Sequence, residues 1–215
     1  MKILKLGEIS YLESYKIQKD LVGQVANGDE ETLIVCSHPS VVTLGKKSTP
    51  EDIQGWRGEV HKIERGGKAT YHGPGQVIIY PIIDLKKRGQ NIAGFLESLE
   101  AAMITTLAEF RIKGKGNHER GKPDYTGVWV LDSNNTPRKI ASIGVAIKRW
   151  ITYHGLAFNL FEDEIAFEGI SPCGFKTETM ISLQSLLKGK KVIKRAEFED
   201  ILTHNLIDFF SKLKS

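Results

Sequence analysis

The chain has 215 residues, 40% hydrophobic and 26% charged, with 30 Lys+Arg against 26 Asp+Glu for a formal net charge of +4. That is the composition of a globular protein of one large or two small domains, and the basic excess is too mild to point to nucleic acid. No apolar run is long enough to span a bilayer, and Met1 to Glu8 lacks the apolar stretch and cleavage site of a secretory signal, so a cytoplasmic location without membrane attachment is expected.

Residues Ser10 to Ala26 carry apolar positions at Leu12, Tyr15, Ile17, Leu21, Val22 and Val25, a helical face with Ser10 as its cap. Asn27-Gly28 ends it. Thr32 to Cys36 and Val41 to Leu44 read as strands split by Ser37-His38-Pro39. Lys46 to Trp56 reads as a loop, and Val60 to Glu64 as a short strand. Next come Arg65-Gly66-Gly67-Lys68-Ala69-Thr70-Tyr71-His72-Gly73-Pro74-Gly75-Gln76. So many glycines cost backbone entropy on folding. They let bare backbone approach a ligand. No phosphate-binding pattern is present.

Val77 to Ile83 predicts a buried strand, and Ile92 to Phe110 a helix with Ile92, Phe95, Leu96, Leu99, Met103, Ile104 and Leu107 on its stripe. Tyr125 to Leu131 and Lys139 to Lys148 read as a hairpin around Asp132 to Pro137. Trp150 to Leu160 reads as the next strand. From Thr179 on the chain is helical, with Phe198, Ile201, Leu202, Leu206, Ile207, Phe209 and Phe210 on a stripe. Gly189-Lys190-Lys191 reads as a turn that would set off a small lobe. Strands dominate the middle without βαβ alternation, which favours an α+β fold or a mixed sheet.

Cys173 lies in Gly169-Ile170-Ser171-Pro172-Cys173-Gly174-Phe175, where proline and glycine predict a loop, the usual place for a reactive group. A thiol is only a few per cent thiolate at neutral pH. Favouring the anion a hundredfold takes about 2.7 kcal/mol. An ammonium about 4 Å away offers roughly 4 kcal/mol at an effective dielectric of 20, before desolvation. Lys139 opens an otherwise small and apolar strand and is the candidate cation. Inert packing for Cys173 and an ordinary hairpin role for Lys139 stay open. So do core roles for His72 and His154. Two cysteines argue against a disulfide. A metal site from His72, His154 and Cys173 lacks ligand spacing, and no metal is expected. The order and flanks of cysteine and histidine do not fit a papain-like pair. Cys36 reads as core.

Four segments together resemble the octanoyltransferases of the LipB type, which belong with the biotin and lipoate ligases. They are Arg65-Gly66-Gly67-x-x-Thr70-Tyr71-His72-Gly73-Pro74-Gly75-Gln76, Lys139-Ile140-Ala141-Ser142-Ile143-Gly144, His154-Gly155-x-Ala157-x-Asn159 and Ile170-x-Pro172-Cys173-Gly174, over roughly residues 30 to 186. Ser142, where alanine is frequent, and Cys36, where a polar residue is frequent, are departures. The resemblance implies one catalytic domain over residues 1–215, with a mixed, mainly antiparallel β-sheet flanked by helices. It implies transfer of an octanoyl group from octanoyl-acyl carrier protein to a lysine of a lipoyl domain. Such domains occur in 2-oxoacid dehydrogenase E2 subunits and in the glycine cleavage H protein. Cys173 would carry the acyl group as a thioester, and Lys139 would favour the thiolate or take its proton. Arg65, Gly66, Gly67, Lys68, Ala69, Thr70, Tyr71 and His72 would line the acyl site with Ser142, Ile143, Gly144, Gly155, Leu156 and Ala157. Backbone N–H groups near Cys173 would hold the oxyanion. No cofactor is implied, because the donor is already activated. An ATP-dependent ligase of the same fold, a non-catalytic lipoyl-domain binder and a sister octanoyltransferase with its cysteine on another loop are the rival readings.

Overall fold

The computed structural model describes residues 1–117, 125–189 and 191–213. In chain order the elements are β1 (Lys2–Glu8), α1 (Tyr11–Ala26), β2 (Thr32–Ser37), β3 (Val41–Leu44), β4 (Glu59–Lys62), β5 (Ala69–His72) and β6 (Gln76–Ile82). After these come α2 (Ile92–Glu109), β7 (Lys115–Gly116), β8 (Gly127–Leu131), β9 (Pro137–Lys148), β10 (Ile151–Asn159), α3 (Leu183–Leu187) and α4 (Arg195–Lys212). Among the described residues, seven strands form a main sheet in the order β1-β2-β6-β10-β9-β8-β7, and three form a small one in the order β4-β3-β5. Among the paired strands of the described residues, only β1 with β2 and β3 with β4 run parallel. The fold is α+β with a mixed, mainly antiparallel sheet.

Strand alternation divides the core. Val77 and Ile79 of β6 face one side, with Phe95 and Leu99 of α2 and Phe198, Leu202, Leu206 and Phe210 of α4. Ile78, Tyr80 and Ile82 face the other, with Val22 and Val25 of α1. Each large side chain so buried contributes about 1.5–3 kcal/mol relative to exposure. The tail is therefore no separate lobe. Phe210 stacks on Phe95 at 5.5 Å, and Phe198 lies 5.8 Å from Phe110. Lys190, in the expected turn before it, lies outside the described residues.

Three local readings change. The edge strand β1 carries no run long enough to announce itself, since it is mostly exposed. Residues 69–72, expected as part of an open glycine-rich segment, are a fully buried strand paired with β3. The helix α1 starts at its expected cap, where the Ser10 hydroxyl accepts the Glu13 N–H. Yet its buried face is Tyr11, Ser14, Gln18, Val22 and Val25, and Leu12 stands out in solvent. Two polar residues occupy a face that hydropathy alone places elsewhere.

Candidate active site

A cleft lies between the small sheet, the middle of β9 and β10, and the turn at residues 172–174. Counting all its non-atom space out to the mouth, open solvent included, it holds about 560 Å³. Cys173 and Lys139, 34 positions apart in the chain, both line it, and so do Arg65, Gly67, Lys68, Thr70 and His72. Ser142, Ile143 and Gly144 of β9 and Gly155, Leu156 and Ala157 of β10 complete most of its wall. Gly66, Ala69 and Tyr71 do not reach it. Alternation along β5 turns Thr70 and His72 inward, and Ala69 and Tyr71 to the opposite side. There the Tyr71 hydroxyl donates to Asp163 Oδ2 at 2.5 Å, anchoring the segment that leads to Cys173.

Cys173 sits in a 3₁₀ turn at φ 56°, a left-handed value uncommon for a residue with a side chain. Its Sγ lies 3.7 Å from the Ser142 hydroxyl. Lys139 is 1% exposed. Its ammonium lies 5.5 Å from the ring of Phe175 and 5.6 Å from that of Trp129, against their faces. Tyr125 packs on both rings, at 4.9 and 5.4 Å. This aromatic cage puts the Lys139 amine beside the chain two residues past the thiol. The Lys68 side chain lies against Gly174, where an added Cβ would be 3.0 Å from its Nζ.

Arg65 is buried, 6% exposed, and spends its guanidinium on neutral acceptors. It donates to the Thr43 carbonyl at 2.7 Å, the Thr43 hydroxyl at 3.0 Å and the Gly66 carbonyl at 3.0 Å. Burial pushes this cation down from its ordinary pKa, while Cys173, Tyr11 and Tyr80 push it back up. Gly144 makes room for the arrangement, since a Cβ there would sit 2.9 Å from Arg65 Cδ. Arg65, Lys68 and Lys139 thus converge on the cleft, and among the described residues no carboxylate lines it. Such a site favours negative charge on a sulfur or an oxygen.

The inner end is a cluster of aromatic and imidazole rings. His38 Nδ1–H donates to the Ile9 carbonyl at 2.7 Å, and its Nε2 accepts from the Tyr80 hydroxyl at 2.8 Å. Burial holds His38 below its ordinary pKa. Burial, with His38 and Arg65 nearby, does the same more strongly for His72. Burial, helped by Arg65, pushes His154 down to about 3. The three rings are neutral at pH 7. Cys36, expected as core, is buried beside His38, and burial pushes its thiol up. Among the described residues no cluster of metal-ligating side chains occurs.

Two motif residues without an assigned task prove to be structural ties. Gln76 Nε2 donates to Asn159 Oδ1 at 2.9 Å, and Asn159 Nδ2 donates to the Ile181 carbonyl at 3.2 Å. The Ile181 N–H then donates to the Lys139 carbonyl at 3.1 Å. These bonds clamp the chain after Cys173 onto the strand that carries Lys139. The expected backbone oxyanion donors are already engaged: the Gly174 N–H bonds the Ser171 carbonyl, and the Phe175 N–H bonds that of Pro172. The Ser142 hydroxyl lies 3.7 Å from the sulfur, and the Lys68 side chain packs against the neighbouring Gly174. Tyr11, Tyr80 and Thr126 also line the cleft and were not legible in the sequence, being single residues outside any dense motif. Glu100 was missed too. Its Oε1 accepts the Gly127 N–H at 2.9 Å, and burial pushes its carboxyl up while Lys139 pulls it down.

The fold is that of lipoate and biotin protein ligases. It superposes on lipoate-protein ligase A bound with ATP at a TM-score of 0.69, with 14% identity over 98% of this chain and 85% of that one. On the biotin protein ligase of Aquifex aeolicus in complex with biotin and ATP the TM-score is 0.60, with 13% identity over 99% and 72%. Residues 10–207 match the lipoyl protein ligase A/B catalytic domain, and the chain belongs to that family. It is 39% identical to the octanoyltransferase of Bdellovibrio bacteriovorus, over 94% of this chain and 95% of that protein.

Proposed function

We propose that this chain is an octanoyltransferase of lipoate biosynthesis, acting through a thioester on Cys173 as a single catalytic domain over residues 1–215. The observation that carries the mechanism is one cleft holding a loop thiol and a buried lysine, with three cations and no lining carboxylate among the described residues. Octanoyl-acyl carrier protein is the donor, and lysines of lipoyl domains are the acceptors. The setting is the cytoplasm, which keeps the thiol reduced. Among the described residues no helix is long and apolar enough to cross a membrane.

The sulfur of Cys173 attacks the thioester carbonyl of the donor. The carbon–sulfur bond to the carrier breaks, and the carrier thiol leaves with the Cys173 proton, passed to it by Lys139, which ends this step neutral. One thioester replaces another at little free-energy change. Lys68 and the Ser142 hydroxyl stabilise the tetrahedral oxyanion. The acceptor lysine amine then attacks the Cys173 thioester, and Lys139 in its neutral form takes the amine proton. The Cys173 sulfur leaves, an amide remains, and the sulfur regains its proton. The amide is far more stable than the thioester, which drives the second step.

Intact-protein mass spectrometry after incubation with octanoyl-acyl carrier protein tests this. The wild type gains one octanoyl group, and Cys173→Ala gains none. Transfer onward to a lipoyl domain proceeds without ATP, which separates the reading from an adenylating ligase. An adduct that persists in Cys173→Ala overturns it.

A further inference from the structure

Gln18 projects from α1 into the protein interior and is fully buried, 0% exposed. Its Oε1 accepts the backbone N–H of His154 at 2.8 Å. Its Nε2 and the Nε2 of His154 are buried side-chain nitrogens with no hydrogen-bond partner among the described residues. Native proteins rarely tolerate such atoms without a reason.

The ladder beside these groups is irregular in β6. Pro81 stands inside this central strand, buried on every side, and has no N–H to give a neighbour. The β6–β10 ladder runs from Asn159↔Gln76 to Leu156↔Ile79 and resumes at Ile151↔Asp84. Carried across the gap, the register sets His154 opposite Pro81. The Thr152 hydroxyl fills part of the gap. It donates to the Pro81 carbonyl at 2.6 Å and accepts the Ile83 N–H at 3.0 Å. The His154 N–H is taken by Gln18 instead of a strand. His154 itself adopts φ 54° in mid-strand, a conformation that only its surroundings can hold.

That twist fixes the imidazole on the cleft wall. The ring stacks on Tyr15 at 5.6 Å, and its Nδ1 lies 3.5 Å from the Tyr11 hydroxyl. Cys173 and Lys68 are partly exposed at the mouth. Tyr11, His72, Tyr80 and His154 are buried at the far end. On the acyl-transfer reading, a chain bound at the sulfur would run from the mouth toward this end.

We propose that Gln18 is a positioning residue that sets acyl chain length, by holding His154 in the twisted conformation that closes the cleft. This rests on the acyl-transfer reading of the site. The test measures kcat and KM for thioester formation with hexanoyl, octanoyl, decanoyl and dodecanoyl donors. Gln18→Leu keeps the bulk and removes the acceptor. Its preference for octanoyl over dodecanoyl should fall at least tenfold, chiefly through KM. Gln18→Glu keeps an acceptor oxygen and should restore most of the preference. His154→Gly tolerates φ 54° and removes the ring, so it should accept dodecanoyl at least tenfold better relative to octanoyl. It covers the case in which Gln18→Leu does not fold. Unchanged selectivity in His154→Gly and in a folded Gln18→Leu would overturn this inference alone. No adduct from any donor on the wild type would overturn the acyl-transfer reading, and this one with it.

Discussion

Lowering the pH from 7 to 5 should destabilise this protein before most carboxylates are much protonated, because its cleft buries neutral histidines. The sign follows from linkage. His154 drops from an ordinary 6.5 to about 3 in the folded state, so the unfolded chain takes up a proton that the folded chain refuses. The stability this group contributes is complete above pH 6.5 and is lost as pH falls toward 3. At pH 5 an unfolded histidine is 1.5 below its 6.5, which amounts to about 2 kcal/mol. His72 and His38 shift in the same direction and add to the loss. Against a typical total of about 5–15 kcal/mol, that is a large share. The assay is urea unfolding at pH 7, 6 and 5 for wild type and His154→Asn. The variant should start less stable at pH 7 and lose about 2 kcal/mol less than wild type between pH 7 and 5. Equal pH dependence in the two proteins would refute the claim that a buried neutral His154 is a source of the acid lability.

Two further outcomes follow from the ties around the thiol. Lys139→Met keeps the length of the side chain inside its aromatic cage and removes the amine; transfer to the acceptor should slow about 100-fold or more with donor KM little changed, and a slowing under threefold in single-turnover assays would exclude a proton-transfer role. Asn159→Ala breaks the bonds to Gln76 and Ile181 and leaves buried groups without partners, at a cost of about 1–3 kcal/mol. Its thermal midpoint should fall by at least about 2 °C and its acylation should slow, whereas an unchanged midpoint would show that the clamp contributes no stability.

How legible the site was depended on residue spacing. The glycine-rich segment, the strand opened by Lys139 and the Pro-Cys-Gly turn each stand out because several unusual residues lie side by side. Residues acting singly, such as Tyr11, Gln18, Glu100 and Thr126, leave no such mark. Gln18 was hidden further by hydropathy, which placed the buried face of α1 around Leu12 and Ile17. The helix instead turns Ser14 and Gln18 inward, where Gln18 accepts the His154 N–H. The strand β5 was masked by its flanking glycines, and β1 by its exposure.

Local composition by itself determined where helices and central strands run and that the thiol is on a loop. Those features follow from side-chain periodicity and backbone restriction, which act over a few residues. The tertiary structure alone decided that Lys139 and Cys173 share one cleft, that Arg65 is buried there among neutral acceptors, and that Gln76 and Asn159 clamp the segment beyond the thiol. Those outcomes depend on strand order and register, which bring together side chains 34 to 108 positions apart, and no short-range pattern records them.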